Sequence, residues 1–301
     1  MAEKLNIVVM LGGPSAEREI SLLTGAAVAK ALRSLGHEVS EVDPVKPGWS
    51  LPPKTDVVFL ALHGTYGEDG TVQDQLEKLG VPYTGCGPEA SRTAFDKVLT
   101  KQRCLKAGVP TAKFAVFDEP DASWPMGWKP PVVLKPVRQG SSVGLQFVDR
   151  VENWHAALTE VLLFDSQVLM EEKIVGRETT VGILDGTALP VVEVRVKQGE
   201  FDYKNKYTAG ASEHFCPADF DAATTKRIQD AALGAFEAVG GRDYARVDVM
   251  VRASGEPVVL EVNTLPGMTE LSLLPEAAKA AGMDYGQLCQ SMINLALRRK
   301  K

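Results

Sequence analysis

The stretch Lys135-Pro136-Val137-Arg138-Gln139-Gly140-Ser141-Ser142-Val143-Gly144 closes an apolar run with a lysine and continues in small residues. Small residues let backbone N–H groups turn toward an anion, and the lysine adds a point charge. That is the chemistry of a loop laid over phosphates, although a plain hairpin turn reads the same way. No GxxxxGK[ST] string is present, and a strand-like run rather than a helix follows. Neither a P-loop nor a dinucleotide fingerprint therefore applies.

A second group is Arg246-Val247-Asp248-Val249-Met250 with Leu260-Glu261-Val262-Asn263. Polar and apolar residues alternate, so on neighbouring strands Asp248, Glu261 and Asn263 share a face. Three oxygen ligands without Cys or His suit Mg²⁺, which keeps waters and shares phosphate oxygens. The alternative is a solvent-facing strand on which Arg246 pairs with neighbours of Asp248. Glu171-Glu172-Lys173-Ile174 and Glu178 suit an adenine amine and ribose hydroxyls, or a solvated edge. Glu17 sits at a strand-to-helix corner and suits either a substrate amine or first-turn capping. His63 stands alone at a strand end. Cys86, Cys104, Cys216 and Cys289 lie far apart, with no CxxC pair. They read as free core thiols of a cytoplasmic protein.

The elements that must position these groups follow from the apolar pattern. Leu5–Leu11 reads as a buried strand, His37–Val42 as a second, shorter one, and Asp56–Leu62 as a third, apolar after its first residue. Between the first two, a helix places Ile20, Leu23, Ala27, Ala31 and Leu35 on one face. This face suits either the core or a dimer interface. Repeated βα steps imply an α/β, doubly wound parallel sheet, whose ligands sit beyond the carboxyl ends of the strands. Gly12-Gly13, Glu17 and His63-Gly64 fall there. A helical segment from about Ser91 to Ala107 follows. Strands are then expected at Lys113–Phe117, Val132–Lys135, Gly144–Val148, Gln167–Glu171, Glu178–Leu184 and Ala188–Val196, with a helix over Glu152–Leu163. The polar stretch Asp202–His214 reads as a long loop over a site. A helix over Asp221–Val239, strands Ala245–Val251 and Pro257–Val262, and two more helices end the chain.

The 301 residues carry 33 Lys+Arg against 39 Asp+Glu, a formal charge of −6, with 45% hydrophobic and 24% charged residues. This is the balance of a soluble globular chain with about two domains. An acidic chain without basic runs is a poor nucleic-acid binder. The run Ile7–Leu11 is too short for a signal-peptide core, and no stretch approaches the ~20 residues of a membrane span.

Ten strings in order resemble the D-alanine–D-alanine ligases of the ATP-grasp superfamily: GGPSAEREISLLTG, FLALHGTYGEDGTVQ, PYTGCG, FDKVLTK, VVLKPVRQGSSVG, RETTVGIL, DYKNKY, FCPA, RVDVM and LEVNTLPGMTELSLLP. The resemblance covers essentially the whole chain. It implies a three-domain ATP-grasp fold: an N-terminal parallel-sheet substrate domain over 1–95, a central domain over 96–178 and a C-terminal catalytic domain over 179–301. It implies ATP-dependent joining of two D-alanines through an acyl phosphate, for peptidoglycan precursors. Two Mg²⁺ ions, replaceable by Mn²⁺, a cytoplasmic location and a homodimer belong to the same expectation.

Carried over position by position, Lys97, Lys135 and Ser142 contact ATP, and so does Lys206. Glu171, Ile174 and Glu178 take adenine and ribose, and Met250 and Leu260 sandwich the base. Asp248, Glu261 and Asn263 hold the metals. Glu17 binds the first ammonium, and His63 lies near that substrate's carboxyl end. Ser272, Leu273 and Lys206 serve the second D-alanine. Arg246 and the Gly267 N–H form the oxyanion site. Ser141, Tyr207 and Glu17 form the triad that closes the Asp202–His214 loop. Tyr207 resembles the dipeptide-forming branch, since the D-lactate ligases replace it. Gln139, Leu265 and Glu270-Leu271 depart from the family pattern. The side chains of Gln139 and Leu265 are expected to sit behind the backbone groups that act, whereas Glu270-Leu271 bears on the second subsite.

Overall fold

β1 (Asn6–Met10) lies between β2 (Glu38–Val42) and β3 (Val57–Leu60) in a parallel three-stranded sheet. The computed structural model describes residues 4–45, 48–196 and 212–299. Ile7–Met10 and all of β3 are buried, as strands covered on both faces must be. His37, expected to begin β2, instead takes the Leu5 N–H on Nδ1 and meets Gln290 Oε1 through Nε2.

α1 (Arg18–Ser34) joins β1 to β2, and its core face is not the one that apolar spacing suggests. Ser21, Thr24, Gly25, Val28, Ala29 and Leu32 are buried, whereas Leu23 and Leu35 are 61% and 46% exposed. Close approach explains this. A Cβ on Gly25 would stand 2.4 Å from the Leu11 Cβ, so only small residues fit at the contact. Ser21 and Thr24 are satisfied there by hydrogen bonds to Ala61 O and His63. Small residues facing a sheet carry little hydrophobic signal, so a count of large apolar residues picks the wrong side.

α2 (Thr71–Leu79) is followed by α3 (Pro88–Phe95) and α4 (Lys97–Lys106). The single segment expected over Ser91–Ala107 is thus two helices. They meet at Asp96, which is extended (φ −88°, ψ 104°) and whose carboxylate caps the Val98 and Leu99 N–H groups.

The second sheet is antiparallel. It contains β4 (Phe114–Phe117), β5 (Val132–Pro136), β6 (Gln146–Val148) and β7 (Val168–Glu172), ordered β4-β7-β5-β6. α5 (Trp154–Val161) starts after a 3₁₀ turn at Val151–Asn153 and buries Trp154 and Leu158 against Val132, Leu134 and Met170. It is shorter than the expected Glu152–Leu163.

The third sheet runs β11-β10-β8-β12-β13, with β9 paired to β8. It comprises β8 (Gly176–Leu184), β9 (Thr187–Ala188), β10 (Val192–Val196), β11 (Ser212–Phe215), β12 (Tyr244–Arg252) and β13 (Pro257–Asn263). The strand expected over Ala188–Val196 is interrupted around Pro190, which cannot donate to a ladder. Of the expected Asp202–His214 loop, residues 202–211 lie outside the described residues. Ser212–His214 opens β11 instead, paired antiparallel to β10.

α6 (Ala222–Ala238) covers one face of this sheet. α7 (Leu273–Ala280) and α8 (Tyr285–Arg298) fill the space between it and the first sheet. Leu274, Leu288 and Met292 join Val9, Phe59 and Tyr244 in one core. Among the described residues no helix is long and apolar enough to cross a membrane.

Candidate active site

β5 carries Lys135 out of the second sheet, and β12 and β13 carry acidic residues out of the third. Between them lies a cleft lined by Lys97, Lys135, Ser142, Glu171, Ile174, Glu178, Asp248, Met250, Leu260 and Glu261. All ten were singled out from the sequence. Met250 packs beside Ile174, Ala112 and Val258 to make an apolar floor.

Ser141 and Ser142 both adopt positive φ, 53° and 57°, and Gly144 follows at 72°. Such backbone is costly for a side-chain-bearing residue and clusters at functional loops. The Lys97 ammonium donates to the Gln139 carbonyl, while the Gln139 side chain turns away to the Phe164 carbonyl. Leu265 likewise acts through its carbonyl, with its side chain in the core. Gln139 and Leu265 also line the first and the second cavity respectively.

Glu171 is buried, and its two oxygens are shared between Lys101 (2.5 Å) and Lys135 (2.6 Å). Burial alone would raise its pKa, but the two ammonium groups overcome that and hold it at about 2. Lys135 gains from the same contact. Burial opposes its charge, yet Glu171 lifts it above the ordinary lysine value. For Lys97 the balance reverses, because burial outweighs Glu261 at 4.0 Å and its pKa falls.

The β12–β13 register sets Asp248 directly opposite Glu261 and Arg246 opposite Asn263. Arg246 pairs with Asp248 itself, through Nε and Nη2 at 2.8 Å each. Burial works against the guanidinium charge, but Asp248 keeps its pKa raised. Thr180 donates to Asp248 Oδ1 at 2.7 Å, and the Asn263 amide donates to Oδ2 at 3.1 Å. Carboxylates facing each other across a strand pair repel, so a cation between them is favourable. Among the described residues no group of three His, Cys, Asp or Glu could hold a metal ion. Two carboxylates and one amide form a sparse oxygen set. It fits a divalent cation whose coordination is completed by phosphate oxygens and water, and does not fit a structural zinc.

A second cavity adjoins the first across the 139–143 loop. It is lined by Glu17, His63, Glu68, Ser141, Arg246, Asn263, Gly267, Ser272 and Leu273. The Ser141 hydroxyl donates to Glu17 Oε1, tying the two loops together. A Cβ at Gly140 would fall 2.7 Å from Glu17 Oε2, so the glycine lets the loop backbone lie directly against this carboxylate. Glu17 makes no side-chain cap bond on α1, which leaves its carboxylate facing the cavity rather than the helix. His63 has both nitrogens engaged. Leu265 O, 3.0 Å from Nδ1, can only accept, so Nδ1 carries a proton, and Nε2 lies 3.0 Å from the Thr24 hydroxyl. Ser272 Oγ accepts from the Thr269 N–H and would stand 3.0 Å from a Cβ at Gly267. Lys206 and Tyr207 lie outside the described residues.

Sequence reasoning missed Lys101, Thr180 and Thr24. Lys101 follows Lys97 by one turn of α4, and Thr180 follows Glu178 by two residues on β8. Those spacings were the available signal.

The sequence model described as "D-ala D-ala ligase C-terminus" matches residues 104–294, and that described as "D-ala D-ala ligase N-terminus" matches residues 46–86. The D-alanine–D-alanine ligase of Methylacidiphilum infernorum is 46% identical over 296 residues, spanning 98% of this chain and 97% of its own. That of Aquifex aeolicus is 48% identical over 292 residues, spanning 96% and 100%. The crystal structure of the D-alanine–D-alanine ligase from Bacillus anthracis complexed with ATP superposes with a TM-score of 0.85 at 33% identity over 99% of both chains.

Proposed function

The chain belongs to the D-alanine–D-alanine ligase family, and on that premise we propose how its two cavities divide the chemistry. The chain is an ATP-grasp enzyme that ligates two D-alanines to D-alanyl-D-alanine with ATP, for peptidoglycan synthesis. The carboxylate of the first D-alanine attacks the γ-phosphate, ADP leaves, and an acyl phosphate forms. The amine of the second D-alanine attacks that carbonyl, loses a proton, and inorganic phosphate departs.

The cleft between β5 and the β12–β13 pair takes ATP. Lys97, Lys135 and Ser142 hold its phosphates, Met250 and Leu260 enclose the base, and Glu171, Ile174 and Glu178 serve adenine and ribose. Lys206 belongs with this group and with the second substrate. Asp248, Glu261 and Asn263 would hold Mg²⁺ ions, or Mn²⁺ in their place. Such ions neutralise phosphate charge during transfer.

The second cavity takes the amino acids. Glu17 binds the first ammonium, and His63 holds the wall near its carboxylate. Ser272 and Leu273 receive the second D-alanine. Arg246 and the Gly267 N–H face the oxygen that becomes negative in the tetrahedral intermediate. Ser141, Glu17 and Tyr207 close the site and shield the acyl phosphate from water.

The division into domains over 1–95, 96–178 and 179–301, a cytoplasmic location and a homodimer complete the reading. The observation that carries it is the Ser141–Glu17 hydrogen bond, which joins the phosphate loop to the amine-binding corner. Phosphate release with ATP and Mg²⁺ tests it. Release should depend on D-alanine and not on L-alanine, and equal stimulation by both would overturn it.

A further inference from the structure

Three buried charges at the cleft edge form a chain: Lys101, Glu171 and Lys135. Lys101 is 1% exposed, and three oxygens surround its ammonium. It ion-pairs with Glu171 Oε1 at 2.5 Å and donates to Thr111 Oγ1 at 2.7 Å and the Ala112 carbonyl at 3.3 Å. An ammonium with three partners has nothing left for a ligand. Lys135 is different. Its side chain lines the cleft, and among the described residues Glu171 is the carboxylate within ion-pair distance of it.

The charges do not cancel pairwise by accident of count. A lone Glu171–Lys135 pair would be neutral and would attract a polyphosphate weakly. With Lys101 on the other oxygen the trio carries one net positive charge, and it sits on the member that faces the cleft. Burying an extra lysine is expensive without a local carboxylate, so its retention here asks for a reason.

We propose that Lys101 is a positioning residue for the nucleotide phosphates: it neutralises Glu171 and holds its Oε1, so that the charge of Lys135 serves the phosphate chain. The residue touches neither nucleotide nor amino acid and acts only through Glu171. The inference rests on the cleft that Lys135 lines being the nucleotide site.

Calorimetric titration of the full chain with adenosine, ADP and ATP, in Mg²⁺ and without D-alanine, tests it. For Lys101→Met the loss of affinity should grow with phosphate number, and ATP should lose about tenfold more than adenosine, whose contacts with Glu171 are common to all three ligands. The double variant Lys101→Met/Glu171→Gln again leaves Lys135 with uncompensated charge and should recover the ratio of ATP to adenosine affinity. Equal weakening for adenosine and ATP, or a double variant worse than Lys101→Met, would show a packing role only and sink the proposal. Lys101→Gln, which retains polar contacts to Thr111 and Ala112, is read the same way should the methionine variant fail to fold. If neither folds, Glu171→Gln alone decides. A preserved or raised ATP-to-adenosine ratio is expected, and a fall overturns the idea. Wild-type protein that binds no ATP would instead refute the nucleotide site itself.

Discussion

A carboxylate withdrawn from water must find cations or take up a proton, and Glu171 finds Lys101 and Lys135. Its pKa of about 2 lies below that of an unfolded glutamate. A depressed folded value means the pairing stabilises the protein above the unfolded pKa, near 4.3 for glutamate. That contribution is lost as pH falls through this range toward 2. Urea unfolding of wild type and Glu171→Gln at pH 7, 4 and 3 checks this. The variant should be less stable at pH 7, and the gap should shrink with acid; a gap independent of pH would remove the ion pairs as its cause. Glu171 was legible as a polar residue ending an apolar strand, because its chemistry is local. Its partner Lys101 was not. Their contact joins residues 70 apart in the chain, and nothing within FDKVLTK distinguishes a lysine that faces the cleft from one that supports it from behind.

Capping shows the same limit at the scale of elements. Periodicity runs smoothly through Ser91–Ala107, but Asp96 breaks it, since its extended backbone ends one helix and its carboxylate caps the next. The break aims α4 so that Lys97, its first residue, reaches the Gln139 carbonyl of the phosphate loop. Asp96 also accepts from Arg138 Nε at 3.0 Å, linking the cap to that loop. Asp96→Ala should lower stability by about 1 kcal/mol, the usual worth of an N-cap, and raise the KM for ATP with little change in that for D-alanine. Asp96→Asn, which keeps a capping oxygen, should recover most of both. Equal effects on the two substrates would mean that the cap matters for folding alone. α1 failed for a related reason: Gly25, Ser21 and Thr24 face the sheet because the backbones approach closely, and closeness between elements leaves no mark on hydrophobic spacing.

Among the described residues, the core of the four-stranded sheet contains its own strands, α5 and the loop carrying Trp124 and Trp128. The other two sheets share their packing: α7 and α8 lie between them, and Gly85 N–H to Asp243, Tyr244 to Thr84 and His63 to Leu265 tie them further. Across the cleft the ties to the four-stranded sheet are largely polar, namely Ser141 to Glu17, Arg138 to Asp96, and Lys101 to Glu171. Apolar cores open cooperatively, whereas polar ties at a wet cleft break more readily. Backbone amides of β5 and β7 should therefore exchange with solvent hydrogen through an opening separate from that of β1 and β12. A ligand that bridges the cleft stabilises the bridged state by RT ln(1 + [L]/Kd), about 2.7 kcal/mol at a hundredfold excess over Kd. Saturating ATP with Mg²⁺ should slow exchange in β5 and β7 toward that scale and leave β1–β3 less affected. Equal slowing in all three sheets would mean that nucleotide binding tightens one cooperative unit, and the cleft would then not be a boundary between two.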